Sequence, residues 1–224
     1  MRARLLMLLL ALSVSFDSSA WALPSFIVSQ PLVVPRKPKD IAVGDINGDG
    51  IDDIAVVSRG SNKISLVLVQ PDGTFRQGAS IIIGSRMQSI GIGDFDIDGK
   101  ADVVVSTGTR NIFVIHGNGD GTFGRSQSIK RCCSGAGLTV GDFDNSLPPG
   151  SMPDDVAIAD ASKDDVNILF NKDMPGTVGL SPTGARVHAG NKPSVLLTDY
   201  FNGDSKYKFD PSKSRKSGRC GYGN

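Results

Sequence analysis

Short apolar runs recur along the chain and alternate with polar, glycine-rich turns. Ile41 to Val43, Ser89 to Ile92, Leu138 to Val140 and Val195 to Leu197 each precede a cluster of aspartates. β-Branched runs follow the first three clusters, at Ile54 to Val57, Val103 to Val105 and Val156 to Ile158. A further run comes next at Ile64 to Val69, Ile112 to Ile115 and Val166 to Phe170. An Asp-Gly turn then leads into a last extended segment such as Thr122 to Ile129. Runs of this length, rich in Val and Ile and bounded by Gly, Asp and Asn, read as strands. Outside the N-terminal segment no window keeps a 3.6-residue hydrophobic period, so no helix is expected.

The pattern is an internal repeat. Gly44-Asp45-Ile46-Asn47-Gly48-Asp49-Gly50-Ile51-Asp52-Asp53 returns 49 positions later as Gly93-Asp94-Phe95-Asp96-Ile97-Asp98-Gly99-Lys100-Ala101-Asp102. A third copy opens 48 positions further on, at Gly141-Asp142-Phe143-Asp144, and resumes at Asp155. A fourth starts near Thr198-Asp199. Asp72-Gly73-Thr74-Phe75 recurs in the same beat as Asp120-Gly121-Thr122-Phe123, and Pro175-Gly176-Thr177-Val178 is a weakened third copy. Four short strands in a unit of about 50 residues predict an all-β chain of propeller-type blades. Each blade has four antiparallel strands. The repeats span 41–88, 89–137 and 138–193, with a partial fourth at 194–205, so about three blades and an incomplete fourth are expected.

The aspartate clusters carry the candidate chemistry. In Asp45-x-Asn47-x-Asp49-Gly50-x-x-Asp53, oxygens at positions one, three, five and nine converge if the backbone curls around one point. The glycine at position six permits the positive φ that such a curl needs. Ile51 and Lys100, at position seven, add backbone carbonyls. The result is an all-oxygen cage of six or seven ligands, which suits calcium better than magnesium. Transition metals prefer His or Cys, which these loops lack. Position twelve is Val56 or Val105 rather than the glutamate of an EF-hand. The second loop, with Asp94, Asp96, Asp98 and Asp102, offers four carboxylates and is expected to bind more tightly than the first. In the third, Asp142, Asp144 and Asp155 can still converge around a proline-rich insertion. The fourth has Ser205 where glycine belongs and is not expected to hold an ion.

These motifs resemble the VCBS and FG-GAP-like repeats that also build integrin α-chain propellers. The resemblance rests on Gly-Asp-x-[Asn/Asp]-x-Asp-Gly-x-x-Asp followed by a β run, and on Asn118 to Phe123. It covers residues 38 to 204 and is most specific in the first two repeats. It implies a β-propeller with structural calcium in its hairpin loops. Propellers typically have four to eight blades. Three blades and the opening of a fourth therefore imply a truncated product or closure with other copies.

Charge and composition narrow the function. Hydrophobic residues make up 39% and charged residues 21%, which fits a packed fold rather than a disordered chain. Residues 206–224 are basic and polar and are expected to be a disordered tail. The body before them is acidic, which disfavours nucleic acid as a partner. Met1 to Arg4 form a basic start, Leu5 to Val14 an apolar run and Ala20-Trp21-Ala22 a small-residue end. That is the plan of a cleavable signal peptide, residues 1–22, which predicts a secreted protein with no membrane span. Export permits a disulfide among Cys132, Cys133 and Cys220, although an odd number leaves one thiol over.

The leading functional reading is a non-catalytic binding or adhesion module, stapled by Ca2+, for an extracellular glycan or protein or for another copy of itself. The alternative is an accessory or catalytic domain of an extracellular carbohydrate-active enzyme. The chain has no G-x-S-x-G elbow and no H-E-x-x-H helix. His116 is more readily a packing or surface residue than a base, and Asp52 a solvated neighbour of Asp53.

Overall fold

The computed structural model describes residues 34–59, 61–84, 86–129, 135–143, 154–172, 176–181, 185–199 and 208–209. Residues 1–22, read from the sequence as a signal peptide, and all three cysteines lie outside them. The described residues form strands and turns, with no helix.

Each repeat makes one antiparallel sheet in which successive strands lie side by side. The first contains β1 (Pro38–Gly44), β2 (Asp53–Ser58), β3 (Lys63–Val69) and β4 (Phe75–Ile82). The second contains β5 (Met87–Gly93), β6 (Asp102–Thr107), β7 (Ile112–Gly117) and β8 (Phe123–Ile129). The third contains β9 (Gly137–Gly141), β10 (Asp155–Asp160), β11 (Asp165–Leu169) and β12 (Arg186–His188). The repeat extends to irregularities: a register shift between Pro38 and Asp40 recurs between Met87 and Ser89. The all-β chain of propeller-type blades read from the sequence is the fold observed.

Two local differences stand out. In the third sheet Leu180 forms a separate bridge to Asn171, outside the pairing of Arg186–His188 with β11. Beyond it, β13 (Thr198–Asp199) pairs with β14 (Lys208–Phe209). The latter pair places two strand residues in the tail read as strandless, because one apolar position, Phe209, is too little for alternation to register.

The period-two pattern gives each sheet two faces, and these faces build the core. Ala55, Val57, Ile64 and Leu66 of the first sheet pack with Ile90, Val103, Val105 and Ile115 of the second. The other face of the second, with Val104, Ile112, Val114 and Ile129, packs with Leu138, Val156, Ile158 and Leu169 of the third. Each of the Val, Ile and Leu side chains contributes about 1.5–3 kcal/mol when fully buried. The first sheet's other face carries Ile41 and Val43, both 57% exposed. At Gly91 the second and third sheets approach so closely that a Cβ would lie 2.6 Å from Val140 Cγ2.

This stacking places the described ends of the three β1–β2-type connections, where the aspartate clusters begin and finish, at equivalent positions in successive blades.

Candidate metal centre

Each cluster begins where the first strand of a blade ends and finishes at the first residue of its second strand. The residue at position two anchors it: Ile46 and Phe95 are buried in the two inter-sheet cores, and Phe143 packs against the third. The chain turns through Gly50 at φ 81° and Gly99 at φ 77°. At position four the first loop has Gly48 at φ 75°, whereas the second has Ile97 at φ 58°. A β-branched side chain there is a backbone outlier.

The position-nine aspartates have one structural role in all three blades. Asp53 accepts N–H bonds from Ile46 at 3.2 Å and Val69 at 2.8 Å. Asp102 accepts them from Phe95 at 3.1 Å and Gly117 at 2.8 Å. Asp155 accepts them from Phe143 at 2.9 Å and Asn171 at 2.7 Å. One carboxylate oxygen thus holds the loop entry and the other holds the end of the third strand. All three aspartates are buried. Burial raises the pKa of Asp53, partly opposed by its bonds to Val69 and Ile46. Burial pushes Asp102 up to about 6, with its bonds to Gly117 and Phe95 acting the other way.

The exposed parts of the first two loops differ. In the first, Asp45 accepts N–H bonds from Gly48 (2.7 Å), Asp49 (3.1 Å) and Gly50 (2.8 Å). Asp49 accepts from Ile51 N–H and from the Asn47 side-chain amide, each at 2.9 Å. In the second, Asp94 accepts from Asp98 N–H (3.2 Å) and Gly99 N–H (2.9 Å). Asp98 accepts from Lys100 N–H (3.0 Å) and pairs with the Lys100 ammonium at 3.1 Å. Asp94, Asp96 and Asp98 each bring one oxygen within 4.8 Å of the others. Asp96 is 6% exposed, and its Oδ1 has no hydrogen-bond partner among the described residues. A buried carboxylate oxygen without a donor is costly, and a hard cation relieves that cost. The donor set of the second loop therefore fits calcium.

In the third repeat Asp142 and Asp155 are described, while Asp144 lies outside the described residues. The acid beside position nine takes an unexpected part. Asp154 accepts Asp94 N–H at 2.9 Å, and Asp154 N–H donates to the Asp94 carbonyl at 3.0 Å, joining the third blade to the second loop. Burial first, then the nearby charges of Asp94 and Asp142, push Asp154 up to about 6 against the effect of its Asp94 hydrogen bond. Its counterpart Asp52 is exposed, as expected.

His116, set aside in the sequence as a packing or surface residue, faces the second loop from the end of β7. It is buried, and its Nδ1 lies 2.9 Å from Asp96 Oδ2. The signal for it was available: 48 positions earlier the same place is Leu68. A titratable ring in an apolar slot needs a reason.

Stacked four-stranded blades, each with an acidic loop between its first two strands, define a propeller-type repeat protein. The family model for the FG-GAP-like repeat matches residues 45–105 and 94–149. Residues 45–149 are thus similar to FG-GAP-like repeats. No curated protein matches the chain. Among the described residues no helix is long and apolar enough to cross a membrane.

Proposed function

We propose that this chain is a secreted, calcium-stapled binding module whose repeats present loops to an extracellular glycan or protein without catalysing a reaction. The observation that carries the calcium reading is the grouping of Asp94, Asp96 and Asp98, with one oxygen of each within 4.8 Å of the others, beside a buried Asp96 Oδ1 that has no partner among the described residues. A cation there neutralises the clustered carboxylates and holds the first half of the β5–β6 connection in its curl. Asp45, Asn47 and Asp49 form a second, weaker site. They carry one fewer acid, and their side chains already bond to loop amides. The basic, apolar N-terminal segment supports export, and extracellular calcium is abundant enough to fill sites of modest affinity.

Thermal melts in calcium and in chelator test this reading. An ion held only by the native state stabilises it by about 2.7 kcal/mol at a hundredfold excess over Kd. The melting temperature is expected to rise with calcium, and Asp94→Ala to lose most of the rise. Equal melts with calcium and with chelator would refute the ion site. Glycan and surface-protein arrays probed with the calcium-loaded chain identify the partner class. Turnover of a polysaccharide panel would establish the enzyme alternative instead.

A further inference from the structure

Behind the calcium loop of the second blade lies a smaller group of donors. Asp96, Asp102 and His116 are all buried, and each brings one donor atom within 4.8 Å of the other two. His116 Nδ1 is 2.9 Å from Asp96 Oδ2 and 3.9 Å from Asp102 Oδ2. Donors bound to one zinc-sized ion at about 2.0–2.2 Å stand roughly 3 to 3.5 Å apart. The two separations from His116 Nδ1 bracket that spacing, and the third donor pair lies within 4.8 Å.

Hydrogen bonding alone does not account for this group. A His116–Asp96 bond satisfies Nδ1 and Oδ2 but leaves Asp96 Oδ1 buried with no donor among the described residues. Two carboxylates meet here out of water. Lys100, the lysine of this loop, is engaged with Asp98 instead. Buried charges of one sign call for a counter-charge at the site. The first blade shows the plain alternative, with Asn47 in place of Asp96 and Leu68 in place of His116. The second blade thus has a carboxylate in place of a neutral amide and an imidazole in place of an apolar side chain.

We propose that Asp96, Asp102 and His116 form a mixed nitrogen–oxygen site for a divalent transition metal of the zinc class. Imidazole with carboxylate suits zinc, cobalt and nickel, whereas calcium takes oxygen alone. The site shares Asp96 with the calcium cage, so the proposal rests on the second loop being an ion site. Occupancy by one ion disfavours the other. The second blade thereby responds to two cation classes, and the first to calcium only.

Cobalt(II) and calcium titrations of the full chain separate the two readings. The visible absorption of bound cobalt reports its coordination, and calorimetry reports calcium. His116→Leu, the residue of the first blade, is expected to weaken cobalt binding at least tenfold and to leave calcium binding in place. Asp94→Ala is expected to do the reverse. His188→Ala serves as the control, because His188 is exposed and sits 3.4 Å from Asp165. Thiol-bound cobalt is common to the wild type and to His116→Leu, so the difference between them isolates the imidazole. Nitrogen NMR of the wild-type His116 ring, with and without zinc, needs no variant and should show Nδ1 shifting on metal addition. Equal cobalt affinity in wild type and His116→Leu, or an unmoved Nδ1 resonance, would overturn the mixed site while leaving calcium intact. Cobalt binding through His116 with no calcium binding would instead refute the calcium reading alone.

Discussion

The Ser89 hydroxyl donates to the Asp40 carboxylate across the boundary between the first and second blades. The same oxygen accepts the N–H of Leu138 from the third blade at 3.0 Å. One small side chain thus ties together the innermost strands of three sheets. Ser89→Ala is expected to cost about 2 kcal/mol, because it strips a partner from a carboxylate and from a buried amide at once. Urea denaturation followed by fluorescence and by circular dichroism measures this loss.

The position-nine aspartates brace the frame whether or not an ion is bound. Asp53→Ala leaves the Ile46 and Val69 amides without their acceptor and is expected to cost about 3 kcal/mol. The loss should persist in chelator, which separates it from any effect of calcium. Chemical denaturation in calcium and in chelator provides the comparison.

Ile97 holds a backbone conformation that β-branched residues avoid. Ile97→Asn places a residue that visits this region readily at the same point of the second loop. Stability in chelator is expected to rise by about 1 kcal/mol, read as an increase in the urea midpoint.

The carboxyls of Asp102 and Asp154, both pushed up to about 6, set a pH dependence in the ion-free protein. Their native forms hold a proton more tightly than the unfolded chain does, since an ordinary aspartate titrates near 4. Their contribution to stability is therefore greatest at low pH and is lost as pH rises from about 4 to about 6. Asp154→Asn keeps an acceptor for Asp94 N–H without the charge. It is expected to raise stability at pH 7 and to flatten the slope, as melts across that window in chelator will show.

Much of this architecture was legible in the sequence. Strands announced themselves because Val- and Ile-rich runs alternate with Gly-Asp turns at a constant interval. The acids of the first two loops were equally visible, since each lies within nine residues of the others. The bracing role of Asp53 was not, because its partner Val69 lies 16 positions away and meets it only through strand pairing. In local sequence Asp53 looks like one more ligand. Asp154 was hidden by the proline-rich insertion, which disguises its equivalence to Asp52. His116 emerges only when repeats are laid over one another and its place is compared with Leu68.

The bracing aspartates also bear on how such a chain can change over generations. Each blade is closed by an acid at the root of its second strand, apart from the acids at the tip of its loop. Substitutions at positions one, three and five can therefore retune or abolish an ion site without unstitching the sheet beneath it. Repeats within one chain are free to diverge in affinity, in metal preference or in having a site at all. The first two already differ in the residues at these places: one has asparagine and leucine where the other has aspartate and histidine.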